Sequence, residues 1–274
     1  MSIFTALPPT IERHELKYAI PTRLIDPVCR FIEPYCELDY HSAIAENNYY
    51  LVNSLYLDTR GFEFLQQRQY GKDGRFNIRV RCYGDQGEAP YFLEVKRKSG
   101  VTGTKYRSVA TRDEWPAILQ DPGYRVPEDS PPKDRQNKEM FMRLAHSYAI
   151  EPKLLTQYRR RAYASVVDVY ARVTLDVSMK YRQQDHFSLA SNSDMTSYDN
   201  ETIYARDMFT DAAVILELKC NVGEVPTWMI DLISTFGLKQ QGFSKYLNSM
   251  LVARLDDGID YMSGDRMSQH FTYG

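Results

Sequence analysis

The chain has 274 residues, 43% of them hydrophobic and 26% charged, which excludes a disordered chain and leaves room for one large domain or two modest ones. Its formal charge of -2 excludes the broad basic coat of a nonspecific nucleic-acid binder, so any cationic site must be local. Four cysteines (Cys29, Cys36, Cys82, Cys220) form neither a CxxC pair nor a Cys/His zinc spacing, and reduced, mostly buried thiols are expected.

The opening stretch "MSIFTALPPTIERHELKYAI" lacks a basic region followed by a long apolar core, and no run of about 18 uncharged apolar residues occurs later, so a soluble cytoplasmic protein is expected. Residues 11–20 read as a strand in which Arg13, Glu15 and Lys17 alternate with His14, Leu16 and Tyr18. A helix at 22–34 follows, with Leu24, Val28 and Phe31 on one face. After a strand at 49–58 and a helix at 60–68 comes "GRFNIRVRCYG". Its strand, 74–83, sets Arg75, Asn77, Arg79 and Arg81 on one face and Phe76, Ile78, Val80 and Cys82 on the other. The strand at 90–98 aligns Glu94, Lys96 and Lys98 with Phe92, against Leu93, Val95 and Arg97. "SGVTGTKYRS" lacks the P-loop spacing and reads as a hairpin turn into a strand at 104–110. A helix at 112–120, a loop at 121–136 rich in Pro and charge, and a helix at 137–149 precede the strand at 153–163. The strand at 170–181 opposes Arg172, Thr174 and Asp176 to Val173, Leu175 and Val177. A polar loop at 182–200 separates it from the strand at 212–221, where Glu217 and Lys219 face away from Val214, Leu216, Leu218 and Cys220. Helices at 226–235 and 244–255 complete the series.

Five strands thus share one design, a charged face backed by an apolar one. On an open sheet the charged face would be solvated surface. Against that stand helices sufficient to cover the apolar side and a polar side dominated by Arg and Lys with isolated Glu or Asp. Eight strands are also enough to close a barrel. With the polar side inward, its cations would repel one another unless a polyanion and a metal ion occupied the lumen. The five histidines (His14, His41, His146, His186, His270) form no H-E-x-x-H or triad signature, and no side-chain nucleophile stands out.

The ordered set "RHELKY", "SLYLDT", "FNIRVRCYG", "FLEVKRKSG", "TKYR", "QYRRRAY", "RVTLD", "ILELKCN" and "GFSKYLNSM" resembles the VTC domain. That family makes inorganic polyphosphate from ATP and belongs to the CYTH-like triphosphate tunnel metalloenzymes. The resemblance runs from about residue 11 to residue 250, and residues 1–274 are read as a single such domain. It implies an α+β fold: an eight-stranded antiparallel β-barrel tunnel with a polar, cationic lumen, flanked by helices. It also implies an ATP-dependent polyphosphate polymerase that moves the γ-phosphate of ATP onto a growing chain and releases ADP. Carried over motif by motif, Lys17, Arg79, Arg81, Lys96, Arg172 and Glu217 are catalytic. Lys105, Tyr158, Arg160, Lys219 and Lys245 bind phosphate. In "QYRRRAY" the family pattern falls on Tyr158, Arg160 and Ala162, while periodicity alone does not choose among Arg159, Arg160 and Arg161. Glu217 is the implied ligand of Mn²⁺ or Mg²⁺, and Glu15, Glu94 and Asp176 stand between secondary metal ligands and ion-pair partners. ATP and inorganic polyphosphate are the implied partners, with no nucleic acid and with a separately encoded membrane partner as the route to any membrane association.

One departure bears on activity. Tunnel triphosphatases and CYTH-type enzymes carry E-x-E-x-K in the first strand, whereas here the five residues are Arg13, His14, Glu15, Leu16 and Lys17. The missing first carboxylate points away from hydrolysis and towards holding a polyanion. The rival expectations are a catalytically silent polyphosphate-binding or sensing module and a metal-dependent triphosphatase.

Overall fold

The alternating segments hydrogen-bond into one curled antiparallel sheet. A computed structural model describes residues 13–84, 87–99, 102–191, 194–197, 212–240 and 242–256. The start of the strand expected from residue 11, turn residues 100–101, parts of the 182–200 loop and His270 lie outside the described residues. The strands are β1 (Arg13–Pro21), β2 (Cys36–Leu38), β3 (Tyr50–Asp58), β4 (Arg75–Tyr83), β5 (Tyr91–Ser99), β6 (Thr102–Ala110), β7 (Glu151–Ser165), β8 (Ala171–Gln183), β9 (Thr196–Ser197) and β10 (Ala212–Asn221). The eight long ones are those expected from period-2 alternation, and the two short ones carry too few residues to show a period. Their order is β1-β10-β8-β7-β3-β4-β5-β6, with β2 beside β7 and β9 beside β8.

Among the described residues β1 and β6, the ends of this path, do not pair with each other. The outer edge of β1 instead meets Gln240 through a single bridge at Tyr18. The sheet curls far enough for Lys96 of β5 to ion-pair with Glu15 of β1, so side chains rather than a ladder join its two ends. The result is a half-barrel whose concave side carries the charged faces of β1, β4, β5, β6, β7, β8 and β10, while β3 turns Val52, Ser54 and Tyr56 inward.

The apolar faces point outward and are covered by helices. On β1, β10 and β8, Leu216, Leu218 and Val173 pack under α1 (Ile25–Ile32) and α6 (Thr227–Thr235), through Val28, Ile32, Trp228 and Leu232. On β3 to β6, Leu55, Ile78, Val80 and Leu93 pack under α4 (Ala117–Gln120) and α5 (Pro132–Ser147), through Ile118, Phe141 and Ala145. The loop expected over 121–136 ends early because α5 begins at Pro132. A proline in the first helical turn gives up an N–H that has no intrahelical partner there. Two further helices sit at the rims: α2 (Tyr40–Ile44), which the sequence did not suggest, and α3 (Glu63–Gln69). Asp39 caps α2 by accepting from the Ser42 amide at 2.8 Å.

One helix lies on the concave side. The last, α7 (Lys245–Asp256), packs Tyr246, Met250 and Ala253 against Tyr56, Leu154, Tyr158 and Ile215, and so fills one end of the tunnel. A bulge in β8 makes room for this contact. Between the pairs Arg159–Val177 and Gln157–Lys180, β8 has one residue more than β7, and Ser178 takes φ 52°. The extra residue reverses the alternation, so Met179 and Tyr181 join the inner apolar cluster. No helix among the described residues is long and apolar enough to cross a membrane.

Candidate functional site

The inner face of the half-barrel is organised around four carboxylates, each gripped by several cations. Glu94 of β5 receives Arg79 at 2.7 Å, Lys105 at 2.6 Å and Arg107 at 3.2 Å. Asp176 of β8 binds Arg160 through both carboxylate oxygens, at 2.6 and 2.8 Å, and Lys245 from the first turn of α7 at 2.5 Å. Glu217 of β10 lies 3.2 Å from Lys219, 3.6 Å from Lys17 and 3.8 Å from Arg160. Glu15 pairs with Lys96 and, at 3.5 Å, with Lys219. Repulsion in an empty lumen, expected from the sequence, is therefore largely relieved: register places a carboxylate between each set of cations. Glu94 sits opposite Arg79 and Arg107, and Glu217 opposite Lys17.

Arg81 is the exception. Its guanidinium, in a residue only 6% exposed, donates to the Tyr158 hydroxyl at 3.2 Å and to Ser54 Oγ at 3.4 Å, and it makes no ion pair among the described residues. Arg172 stands apart too. It is exposed, shares the inner parity of Thr174 and Asp176, lies opposite Lys219, and has its guanidinium 5.9 Å from the Tyr170 ring.

These surroundings shift the titrating groups. Burial pushes Glu94 and Glu217 up, yet their cations prevail and hold both well below the usual carboxylate range: Arg79, Arg81 and Lys105 for Glu94, Lys219 and Lys17 for Glu217. Asp176, also buried, is brought down to about 2 by Arg160 and Lys245. Lys105 also falls, but towards its neutral form. Desolvation, with Arg81 and Arg79 nearby, lowers it to about 7 despite Glu94. Lys17 is lowered by burial against the pull of Glu217 and Glu15.

A divalent cation can be tested against this donor set. Among the described residues no group of three His, Cys, Asp or Glu converges. Glu15 and Glu217 converge on the lumen side, both contacting Lys219, at 3.5 and 3.2 Å, with Thr174 Oγ1 donating to Glu217 at 3.4 Å. Two oxygen-donor carboxylates fit a hard cation that takes its remaining ligands from water and phosphate. Glu94, also held by guanidinium and ammonium partners, has no second carboxylate sharing a cation with it among the described residues, and Asp176 shares Arg160 with Glu217, which that guanidinium meets only at 3.8 Å.

The structure brings Lys17, Arg79, Arg81, Lys96, Lys105, Tyr158, Arg160, Glu217, Lys219 and Lys245 to one concave face, with Arg172 at its rim. Among the three consecutive arginines, β7 turns Arg160 inward, Arg159 to solvent and Arg161 outward over Tyr49, with its guanidinium 4.4 Å from that ring. Sequence reasoning missed Arg107. The alternation of Lys105 and Arg107 in "TKYRS" was the available signal, but only the pairing of β6 with β5 sets Arg107 against Glu94. It also missed the rings of His41, Tyr50, Tyr83 and Phe92, which meet at one end of the face.

A family model described as the VTC domain matches residues 12–254. A search of curated proteins finds no match. Similar solved structures include a Bacillus halodurans protein described as a candidate adenylate cyclase, at 12% identity and TM-score 0.46, covering 87% of this chain and 96% of that one. Another, from Pyrococcus horikoshii, has 13% identity and TM-score 0.43 over 88% of this chain and 99% of that one. A third, from Hippeastrum, is described as a candidate adenylyl cyclase with a dominant triphosphatase activity. It has 13% identity and TM-score 0.44 over 90% of this chain and 96% of that one.

Proposed function

Because the chain belongs to the VTC domain family, we propose that it is an ATP-dependent polyphosphate polymerase, transferring the γ-phosphoryl group of ATP to a growing inorganic chain and releasing ADP. The observation that carries this reading is Arg81, a buried guanidinium with only hydroxyl partners. Arg81 makes no ion pair of its own among the described residues, and the carboxylate that acts on it, Glu94, is already shared by Arg79, Lys105 and Arg107, so an anion entering the tunnel finds a buried guanidinium still open to it. Two features favour a polymer over a lone triphosphate. The inner row of β4 from Arg81 to Arg75 covers about 20 Å at ~3.3 Å per residue, longer than a triphosphate. Arg13 also stands where tunnel hydrolases have a glutamate.

Arg79, Arg81 and Arg160 grip the β- and γ-phosphates with Lys105 and Arg107, because guanidinium forks match phosphoryl oxygens. Tyr158 orients Arg81 from below and lies under Lys245, whose Nζ is 4.4 Å from the ring. Lys17, Lys96 and Lys219 hold the acceptor chain, and Arg172 meets phosphate at the rim. An oxygen of the acceptor's terminal phosphate attacks the γ-phosphorus in line. The bond between that phosphorus and the β–γ bridging oxygen breaks, and the oxygen departs with ADP. The attacking oxygen is already anionic, so no general base is needed. Glu217, with Glu15, would hold Mn²⁺ or Mg²⁺, which when bound supplies further neutralisation of charge on the β- and γ-oxygens.

Purified protein incubated with ATP and Mn²⁺, with products resolved on a gel, tests the proposal. ADP and chains are expected, neither in excess EDTA, and Glu217→Gln should lose turnover while still binding tripolyphosphate. Orthophosphate without chains would make the protein a triphosphatase. Binding without ADP release would make it a silent module.

A further inference from the structure

Above the cations, the inner face turns aromatic. Tyr50 of β3, Tyr83 of β4 and Phe92 of β5 occupy inner positions at the upper ends of adjacent strands, and α2 brings His41 over them. Ring centroids are 5.5 Å apart for His41 and Tyr50, 5.4 Å for His41 and Tyr83, 5.6 Å for Tyr50 and Tyr83, and 5.4 Å for Tyr83 and Phe92. His41 is exposed and the other three are half-buried, with Tyr50 and Tyr83 also packing against the inner apolar cluster that includes Val52, Tyr56 and Tyr158.

The collar is fastened to the cations below it. Arg107, which pairs with Glu94, donates to the Tyr83 hydroxyl at 3.2 Å and stacks 3.9 Å from the centre of the Phe92 ring. Tyr50 lies opposite Arg160 in the ladder. Tyr83 is two residues beyond Arg81 on the same face, a rise of about 7 Å. In a nucleotide the ribose separates base from phosphate, so a nucleotide with its phosphates on Arg81, Arg160 and Lys105 carries its base to the height of the collar.

We propose that this collar stacks the base of a purine nucleoside triphosphate and fixes the nucleotide base-upward, phosphates down the tunnel. The inference rests on the polymerase reading and supplies its donor specificity. Between rings 5.4–5.6 Å apart there is no slot for a third, since intercalation needs about 7 Å, twice a ~3.5 Å contact. The base therefore lies on the outward faces of the rings, chiefly His41 and Tyr50. Stacking surfaces read ring size rather than base edges, so purine nucleotides outrank pyrimidine ones.

Binding of ATP, UTP and tripolyphosphate to wild type, His41→Ala and Tyr50→Leu decides the matter. Each variant is expected to lose about tenfold in ATP affinity, the size of one lost base–aromatic contact, while tripolyphosphate affinity stays within about twofold. Wild type should favour ATP over UTP, and His41→Phe, which restores a ring at an exposed position, should keep ATP affinity. Unchanged ATP affinity in both variants, or ATP and tripolyphosphate affinities falling together in His41→Ala, would overturn the collar while leaving the tunnel intact. A wild type that binds no tripolyphosphate would instead overturn the polymerase reading, and the collar with it.

Discussion

Arg79 and Arg81 are two residues apart on one strand and face the same lumen, yet they should respond oppositely to removal. Arg79 is paired with Glu94 at 2.7 Å, so Arg79→Ala should lower stability by about 2 kcal/mol, the worth of a hydrogen bond to a charged group. Arg81 makes no ion pair among the described residues and sits beside the cation Arg79, so Arg81→Met should leave the melting temperature of the empty protein level or raised. It should also weaken tripolyphosphate binding ten- to a hundredfold, about 1.5–3 kcal/mol. Thermal-shift titration separates the two, and a destabilised Arg81→Met would refute the unpaired buried cation. Lys105 sets a pH dependence. With its pKa lowered to about 7 in the fold, the unfolded chain holds more protons between that value and the ordinary 10.5, so this group makes stability rise with pH across that window. Polyanion binding favours the charged amine. Binding should take up protons above about pH 7 and weaken as pH rises, which calorimetry in buffers of different ionisation enthalpy would detect. The charged parity of Arg79, Arg81 and Glu217 was legible in the sequence because a strand's period is geometric. The inward turn of Arg160 was not, since three consecutive arginines leave the choice to register.

Among elements, the eight long strands and six of the helices were foreseeable from period, length and breakers, with shifted ends. What stayed hidden came from contacts between distant segments. The β8 bulge depends on α7 lying inside the sheet, and the rim rings come from four separate elements. Nothing in the alternation of any one segment encodes such meetings. The seat of α7 has a specific anchor: buried Asp58 accepts from the Phe64 and Leu65 amides at 2.9 Å each, and from the Tyr246 hydroxyl at 2.9 Å. Tyr246 also stacks on Tyr56 at 4.9 Å. Tyr246→Phe keeps the stack and removes the hydrogen bond, so it should cost about 1 kcal/mol in chemical denaturation without loosening the helix. Tyr246→Ala empties the seat and should cost about 3 kcal/mol or more. Equal losses for the two would mean that packing is not what holds α7 in the lumen.

For the whole molecule, the ends of the sheet, which among the described residues do not pair with each other, decide what shape of ligand can enter. A pipe must be threaded from a free end, and a long polymer then has two points of entry however many repeats it contains. A channel with a slit accepts any stretch of the polymer from the side. Among the described residues the slit is spanned by the Lys96–Glu15 ion pair and bordered by the Tyr18–Gln240 bridge, contacts between side chains or at one point, with no ladder between them to unzip. Long polyphosphate with a bulky protein attached at each end should therefore compete with tripolyphosphate about as well as the same chain uncapped. Failure of the capped chain to compete would show that the seam stays shut. If it does compete, an elongating chain need not be drawn back through the barrel to be released, and the number of phosphates added per encounter is governed by how often this seam opens.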